Sequence, residues 1–445
     1  MKPKTNILNI IFLLVLATPI EAQQLPDITP KTPTASSFTN YGQNDHSGTQ
    51  RSIYQPMNVN QRNAMIRAEV DQQIAQEQQA EQRARTIIDD AMSSLPKQFK
   101  LPSKGNGEGV KHYRTAFEQL KSMEKQSFSI KKATHIIENA YYEDNYDYAE
   151  FDKTIRQTGD FLREKMQELG YDSSNNLAKN FLLFQFFSDT LEIKGKNVKH
   201  LPLTYDFEDY MGKDDWSKMF VRKLLETGEG QCNSLPQLYL ILAEEIDAEA
   251  SLSLSPNHSY IKFQDNAKRK WYNVELTNGM LTTDAFILQS GYVKAEALQN
   301  KIYMHPLSQE ALYAHQFVQL ALGYVRKYGY DELVNEIIGK ALEVYPNHVN
   351  AQLIKSNYDT FKMHYALSQL GIGRHNFEQI KHYPFAMELY QNVSKQYQQV
   401  DELGYEEMPE EAYQKWLHSV KEKQNKQKNT TLQSSIKNNL STIKQ

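Results

Sequence analysis

The chain of 445 residues contains a single cysteine, Cys232, and its neighbours suit a thiol nucleophile. Gly228 and Gly230 precede it and allow the backbone to turn sharply. Apolar residues then recur at helical spacing: Leu235, Leu238, Leu242 and Ile246. The free N–H groups and positive dipole at a helix N-terminus favour a thiolate and can hold an oxyanion. The alternative is a buried, inert thiol that packs as a small apolar side chain.

Two further residues extend this pattern into a catalytic arrangement. Three segments alternate between apolar and polar residues as short strands do: 250–254, 258–263 and 271–277. The polar run 265–270 indicates a turn. A hairpin centred between residues 266 and 267 places His258 directly opposite Glu275, where the carboxylate can accept from the imidazole and orient it. The sequence therefore predicts Cys232 as nucleophile, His258 as base and Glu275 as orienting acid.

Each of these residues has a plainer interpretation when it is taken alone. Cys232 fits a core thiol, His258 is one of 12 histidines, and Glu275 fits a carboxylate on a strand surface. The catalytic interpretation depends on their order along the chain, on the element that carries each residue, and on the matched strand register. A slip of one residue in that register would turn Glu275 to the opposite face of the sheet.

With these residues in view, segment 200–285 resembles the transglutaminase-like superfamily of papain-type thiol enzymes. The matching stretches are Gly230-Gln231-Cys232 before the central helix, His258 on the next strand, and Trp271-Tyr272-Asn273-Val274-Glu275. The resemblance implies a cysteine helix packed on a small antiparallel sheet, and acyl transfer through a thioester. It also implies that Cys232, His258 and Glu275 are nucleophile, base and acid. The short path from Cys232 to His258 is similar to that of compact bacterial members.

The sequence departs from the pattern of this superfamily at two positions. Glu275 stands where aspartate is usual, and Asn233 stands where animal transglutaminases have tryptophan. No calcium-loop pattern and no flanking β-sandwich pattern occur. These departures disfavour protein crosslinking more than they disfavour thiol chemistry. No cofactor and no metal ion are expected.

The composition predicts an α+β chain that is mostly helical around this core. Glu, Gln, Lys, Ala and Leu are abundant, whereas Gly (19) and Pro (15) are sparse. We expect seven segments: a signal peptide at 1–22, a disordered linker at 23–57, an exposed helix and linker at 58–110, a helical region at 111–199, the transglutaminase-like core at 200–305, a tetratricopeptide-like helical region at 306–420, and a disordered tail at 421–445.

The first 22 residues indicate export to the periplasm or the medium. Lys2 and Lys4 precede the short apolar run 7–17, and Ala22 offers a cleavage site. An uncleaved N-terminal anchor is the alternative. No later segment is apolar for long enough to span a bilayer, so we expect no stable membrane insertion after cleavage. The net charge of −4 gives no reason to expect a nucleic-acid partner.

Two functions from different classes follow from these observations. The first is an exported thiol-dependent acyl-transfer enzyme that hydrolyses a peptide or amide bond in a protein or peptide substrate. The second is a non-catalytic peptide-binding or scaffold protein that uses the same cleft together with the helices. Residues 311–358 support the second, because they resemble one and a half tetratricopeptide units. The acidic aromatic string 205–210 fits either a capped loop or a cleft for cationic substrates.

Overall fold

The computed structural model of the protein describes residues 58–93, 99–105 and 107–422, together with Ser434 and Ile436. The predicted signal peptide and linker, and most of the predicted tail, lie outside these residues. The chain divides into two compact units, one of which contains the helix α1 (Val59–Ser93) and the other the residues described from Phe99 onward. The architecture is mostly helical with small sheets, which is α+β at a coarse level.

Helix α1 is a single span of 35 residues. Its described side chains are exposed, including apolar ones such as Met65, Ile66 and Val70. Apolar positions are sparse along it, so it has no wide apolar face of the kind that helices bury in a core.

The second unit combines helices with three small sheets. Its helices are α2 (Gly107–Lys121), α3 (Ile130–Tyr141), α4 (Tyr148–Glu168), α5 (Asn176–Ser188), α6 (Val221–Thr227), α7 (Ser234–Glu245), α8 (Asp284–Leu288), α9 (Ala295–Gln299), α10 (Gln309–Tyr328), α11 (Glu332–Val344), α12 (Val349–Gln369), α13 (Pro384–Glu402) and α14 (Glu410–Glu422). Its strands are β1 (Leu191–Ile193), β2 (Val198–His200), β3 (Thr204–Tyr205), β4 (Glu229–Gly230), β5 (Ser251–Ser255), β6 (His258–Gln264), β7 (Trp271–Glu275) and β8 (Met280–Thr282).

Helix α7 lies at the centre of the second unit. Residues 234–243 are all buried, as expected for a helix that is apolar on nearly every face. It packs against α3, α4, α5 and α6 and against the sheet strands β5 and β6. Pro236 lies in the first turn, where its missing N–H breaks no helical hydrogen bond. The helix therefore begins just after Cys232, as the sequence predicted.

The four-stranded antiparallel sheet has the order β5-β6-β7-β8, and its register corrects one prediction. The β6–β7 hairpin pairs Ile261 with Val274 and Gln264 with Trp271, so its turn is centred one residue later than predicted. The pairing of His258 directly opposite Glu275 is therefore wrong by two residues. Because side chains alternate with a period of two, Glu275 keeps its face and becomes a diagonal neighbour of His258.

From α10 to α13, each helix packs against the next one in the sequence. The hairpin α10–α11 is followed by α12 and α13, and α10 also packs on α2 and α3. One large apolar core runs from Tyr113 to Ile436 and is shared by the sheet, α7 and the helices on both sides of them in sequence. Within the described ranges, none of the helices combines the length and apolar character that crossing a bilayer requires.

We expect truncation of the central helix to be costly. Leu242 on α7 is fully buried, so Leu242→Ala should lower the free energy of unfolding by about 2–5 kcal/mol. Leu298 on α9 has a side chain that is 41% exposed, so Leu298→Ala should change the free energy of unfolding by less than about 0.5 kcal/mol. Urea titrations of the two variants measure the difference, and equal losses would contradict the central position of α7.

Candidate active site

Cys232 is held between a short strand and the start of α7. The strand β4 pairs in parallel with β3, which brings Tyr205 level with Gly230. A side chain at Gly230 would place a Cβ atom 2.8 Å from Ser234 Oγ, so the close approach there requires glycine. Ser259 Oγ on β6 donates to the carbonyl oxygen of Cys232. The loop that carries the thiol is therefore tied to the strand that carries the histidine.

His258 and Glu275 form a buried pair on neighbouring strands. His258 Nε2 lies 2.8 Å from Glu275 Oε2, and the two side chains are 2% and 1% exposed. The other carboxylate oxygen of Glu275 accepts from the backbone N–H of Thr277 at 3.0 Å. The β6–β7 hairpin thus fixes both the distance and the orientation of the pair.

This pairing shifts the pKa values of both groups. Burial alone would lower the pKa of His258, but the Glu275 carboxylate and the nearby sulfur of Cys232 raise it to about 10. Burial alone would raise the pKa of Glu275, but the imidazolium and the hydrogen bonds from Thr277 lower it. At neutral pH the pair is therefore an imidazolium and a carboxylate.

The second ring nitrogen of His258 is not used in the pairing with Glu275. Nδ1 is buried and has no partner with hydrogen-bond geometry in the described part of the chain. Cys232 is close enough for its side chain to raise the histidine pKa, although the two groups do not meet the geometry of a hydrogen bond. Both residues line one cavity. The structure thus brings together all three residues that the sequence singled out.

Two tyrosines that sequence reasoning missed lie beside the sulfur. Tyr205 is 5% exposed and Tyr413 is fully buried. Burial raises the pKa of each phenol well above its ordinary value, and the charge of the Cys232 sulfur adds to the increase. Neither hydroxyl has a partner with good hydrogen-bond geometry among the described residues. Two neutral phenols are therefore available near the sulfur as hydrogen-bond donors.

Helix α14 covers His258 from one side. Trp416 presents an edge to the His258 ring, with ring centroids 4.8 Å apart, and stacks on Tyr413 at 5.7 Å. The helix is anchored at its start, where Glu410 accepts from Lys213 Nζ and from the hydroxyl of Tyr210. This cover leaves His258 with little contact with solvent.

The acidic string 205–210 forms a loop that supports this anchor. Asp206 Oδ1 accepts from the backbone N–H groups of Glu208 and Asp209, and its other oxygen lies 2.6 Å from Lys218 Nζ. Asp209 accepts from the backbone of residues 213–215. The carboxylates of both aspartates are thus bound by groups between residues 208 and 218, which supports the interpretation of the string as a capped loop.

A series of hydrogen-bonded, uncharged side chains extends from α10 to the residue after the cysteine. Asn233 Nδ2 donates to Gln319 Oε1 at 3.0 Å, and Gln319 Nε2 donates back to Asn233 Oδ1 at 2.9 Å. Gln319 Nε2 also lies 2.8 Å from His315 Nε2. Burial lowers the pKa of His315 to about 4, so this ring is neutral and accepts the hydrogen bond. These hydrogen bonds hold the side chain of Asn233, the residue that follows Cys232.

The cavity beside Cys232 and His258 has a volume of about 120 Å³. Its walls come from β5 and β6 on one side and from α10 and α12 on the other. No aspartate, glutamate, lysine or arginine lines it in the part of the chain described here. Across the same residues, no three or more His, Cys, Asp or Glu side chains are grouped so that they could hold a metal ion.

No protein-family model, curated protein or solved structure matches the chain. The resemblance to transglutaminase-like enzymes therefore depends on the residues themselves and on the elements that carry them.

We expect the contribution of His258 to the free energy of unfolding to decrease as the pH is raised from about 6.5 to about 10. The folded-state pKa of His258 is about 10, whereas an unfolded histidine has a pKa of about 6.5. In this window the folded chain keeps a proton that the unfolded chain has released. The stabilisation is complete below pH 6.5 and is lost as the pH passes about 10, which urea titrations at several pH values measure.

Glu275→Gln isolates this contribution because it keeps the shape of the acid and removes its charge. Burial then lowers the pKa of His258, so most of the decrease between pH 6.5 and 10 should disappear. Glu249→Gln, at a side chain that is 74% exposed, should keep the wild-type dependence. An unchanged dependence in Glu275→Gln would contradict the assignment to this pair.

Proposed function

We propose that the protein is a thiol-dependent acyl-transfer enzyme that hydrolyses a peptide or amide bond, with the core and triad of the transglutaminase-like superfamily. The observation that carries the proposal is the buried 2.8 Å contact between His258 and Glu275 beside Cys232. An imidazolium near a sulfur at a helix N-terminus stabilises the thiolate, which is the nucleophilic form.

In the first step, the Cys232 thiolate attacks the carbonyl carbon and the negative charge moves to the oxygen. The tetrahedral intermediate collapses to a thioester as the C–N bond breaks, and His258 gives its proton to the leaving amine. In the second step a water molecule loses a proton to His258 and attacks the thioester. The acid is released, and the thiolate and imidazolium are restored.

Glu275 acts on this sequence through His258. The carboxylate of Glu275 accepts a hydrogen bond from the Nε2–H of His258. Nδ1 is therefore left as the ring atom that exchanges protons with the thiol and the substrate. Glu275 also compensates the positive charge that the ring carries before the first step and again once the ring has taken the proton of water. Glutamate is one methylene longer than the usual aspartate, and the diagonal register separates it further from His258 along the sheet. The longer side chain of glutamate can span this larger separation and still reach Nε2 of His258.

The acceptor of the acyl group decides between hydrolysis and transamidation. Water gives a carboxylic acid, whereas a primary amine gives a new amide. We propose hydrolysis as the main reaction, and export to the periplasm or the medium as its setting.

The second candidate is a non-catalytic protein that binds a peptide in the cavity. The cover of the triad by Trp416 and Tyr413 favours this candidate, because it restricts access to His258 from the side of α14. The cavity that Cys232 and His258 line would serve either function. The reactivity of the thiol separates the two candidates.

We expect iodoacetamide to alkylate Cys232 rapidly at pH 7, because a thiolate reacts and a thiol does not. His258→Ala should lower the second-order rate constant at least about tenfold, since it removes the positive charge near the sulfur. His418→Ala, on the exposed face of α14, is the matched control and should leave the rate unchanged. Because the chain has one cysteine, intact mass spectrometry measures the reaction directly. An equal rate in His258→Ala would favour the binding protein.

Hydroxylamine should trap the acyl-enzyme. With a peptide library as substrate, the wild-type chain should release hydroxamates in the presence of hydroxylamine and free acids without it. Cys232→Ala should release neither, to the detection limit of mass spectrometry. Cleavage that survives Cys232→Ala would exclude this mechanism.

A further inference from the structure

The cavity beside the triad is built by two parts of the chain that are distant in sequence. Strand β5 contributes Leu254, and β6 contributes His258 and Ser259. The opposite wall comes from α10 and α12, with Leu322, Leu353 and Ile354. The tetratricopeptide-like helices therefore face the thiol directly, and their side chains define what can lie next to it.

Apart from Cys232 and His258, the described lining combines an apolar surface with polar groups that carry no charge. The aliphatic side chains are joined by aromatic ones, including Tyr303 and Tyr405. The amides of Asn233 and Gln319 bond to each other, so both are satisfied without a ligand. His315 is neutral at ordinary pH because burial lowers its pKa to about 4.

Away from Cys232 and His258, a charged substrate side chain would find no counter-charge among the described residues that line this cavity. The nearest acidic loop does not help, because Asp206 and Asp209 do not line the cavity and their oxygens are bound within the loop. Burying an unpaired charge costs far more than burying an apolar group of the same size. The lining thus disfavours lysine, arginine, aspartate and glutamate side chains next to the thiol.

The size of the cavity suits one large side chain. Its volume of about 120 Å³ is several times the roughly 10–15 Å³ that a cavity needs to hold one water molecule, so it has room for a larger group. Transfer of an aliphatic or aromatic side chain into such a site is favourable, because the apolar area leaves water.

We propose that this cavity is the acyl-donor pocket and that it selects an uncharged, aliphatic or aromatic side chain next to the scissile bond. The proposal rests on the proposed function, because it takes Cys232 as the group that attacks the bound carbonyl. It assigns the selectivity to α10 and α12, so the helical region after the core is part of the substrate site.

The test uses a set of peptidyl vinyl sulfones that differ in one side chain. The Cys232 thiolate adds to the vinyl carbon that is β to the sulfone, the sulfone-stabilised carbanion takes a proton, and a stable thioether forms. Probes with leucine or phenylalanine next to the vinyl group should label the full chain at least about tenfold faster than probes with lysine or glutamate. Intact mass spectrometry gives each rate, and iodoacetamide gives the reactivity of the thiol without side-chain recognition.

Asn350→Asp adds one negative charge to the lining without a change of shape. Asn350 lies in the first turn of α12, where the helix dipole tolerates an acid, so the variant should fold. Relative to wild type, the ratio of lysine-probe to leucine-probe rates should increase about tenfold. Asn335→Asp makes the same change in the first turns of α11, outside the cavity, and should leave the ratio unchanged.

The outcomes separate this proposal from the proposed function. Equal rates for apolar and charged probes, or a ratio that Asn350→Asp does not move, would overturn the pocket assignment. Rapid alkylation by iodoacetamide with no labelling by any peptide probe would overturn the pocket assignment and leave the thiol chemistry standing. Absence of alkylation by iodoacetamide would overturn both.

Discussion

The buried ion pair of His258 and Glu275 is the interaction on which the arrangement of the site depends. A carboxylate or an imidazolium placed alone in this interior would lose its hydration with no compensation. Together, at 2.8 Å, each makes the burial of the other tolerable. The pair also needs a rigid frame, which the β6–β7 hairpin supplies, and exclusion of water, which Trp416 and its neighbours on α14 supply.

The elements that hold the triad were predictable because each has a local signature. Helix α7 is apolar on nearly every face, and its glycine-containing entrance fixes where it begins. The strands β5, β6 and β7 alternate, and turns separate them. The register was predicted wrongly by two residues, since a polar run gives the length of a turn but not its centre. The face was still right, because a shift of two residues preserves the alternation of side chains.

The surroundings of the thiol were not predictable in the same way. Tyr205 precedes Cys232 in the sequence and Tyr413 follows it at a long distance, yet both lie beside the sulfur. Helices α10 and α12 close the cavity through contacts of long sequence separation. Periodicity describes which face of an element is buried but not which other element covers it. Tyr413 and Trp416 therefore looked like ordinary apolar positions of a C-terminal helix. The acidic aromatic string 205–210 was a partial signal for these surroundings, because its aspartates indicated a loop whose carboxylates need hydrogen-bond donors nearby.

The position of α14 at 410–422 has a consequence for the order in which the site is completed during synthesis. Every residue of the triad and of the cavity walls on α10 and α12 leaves the ribosome before Tyr413 and Trp416 do. A growing chain can thus bring the sulfur, the imidazole ring and the carboxylate together while the face of His258 that Trp416 later covers is still exposed to water. Of the helices whose bounds the structure gives, α14 is made last, and it is the one that keeps water from the ion pair. The strength of that pair is therefore set after α14 has been made rather than when its strands first meet.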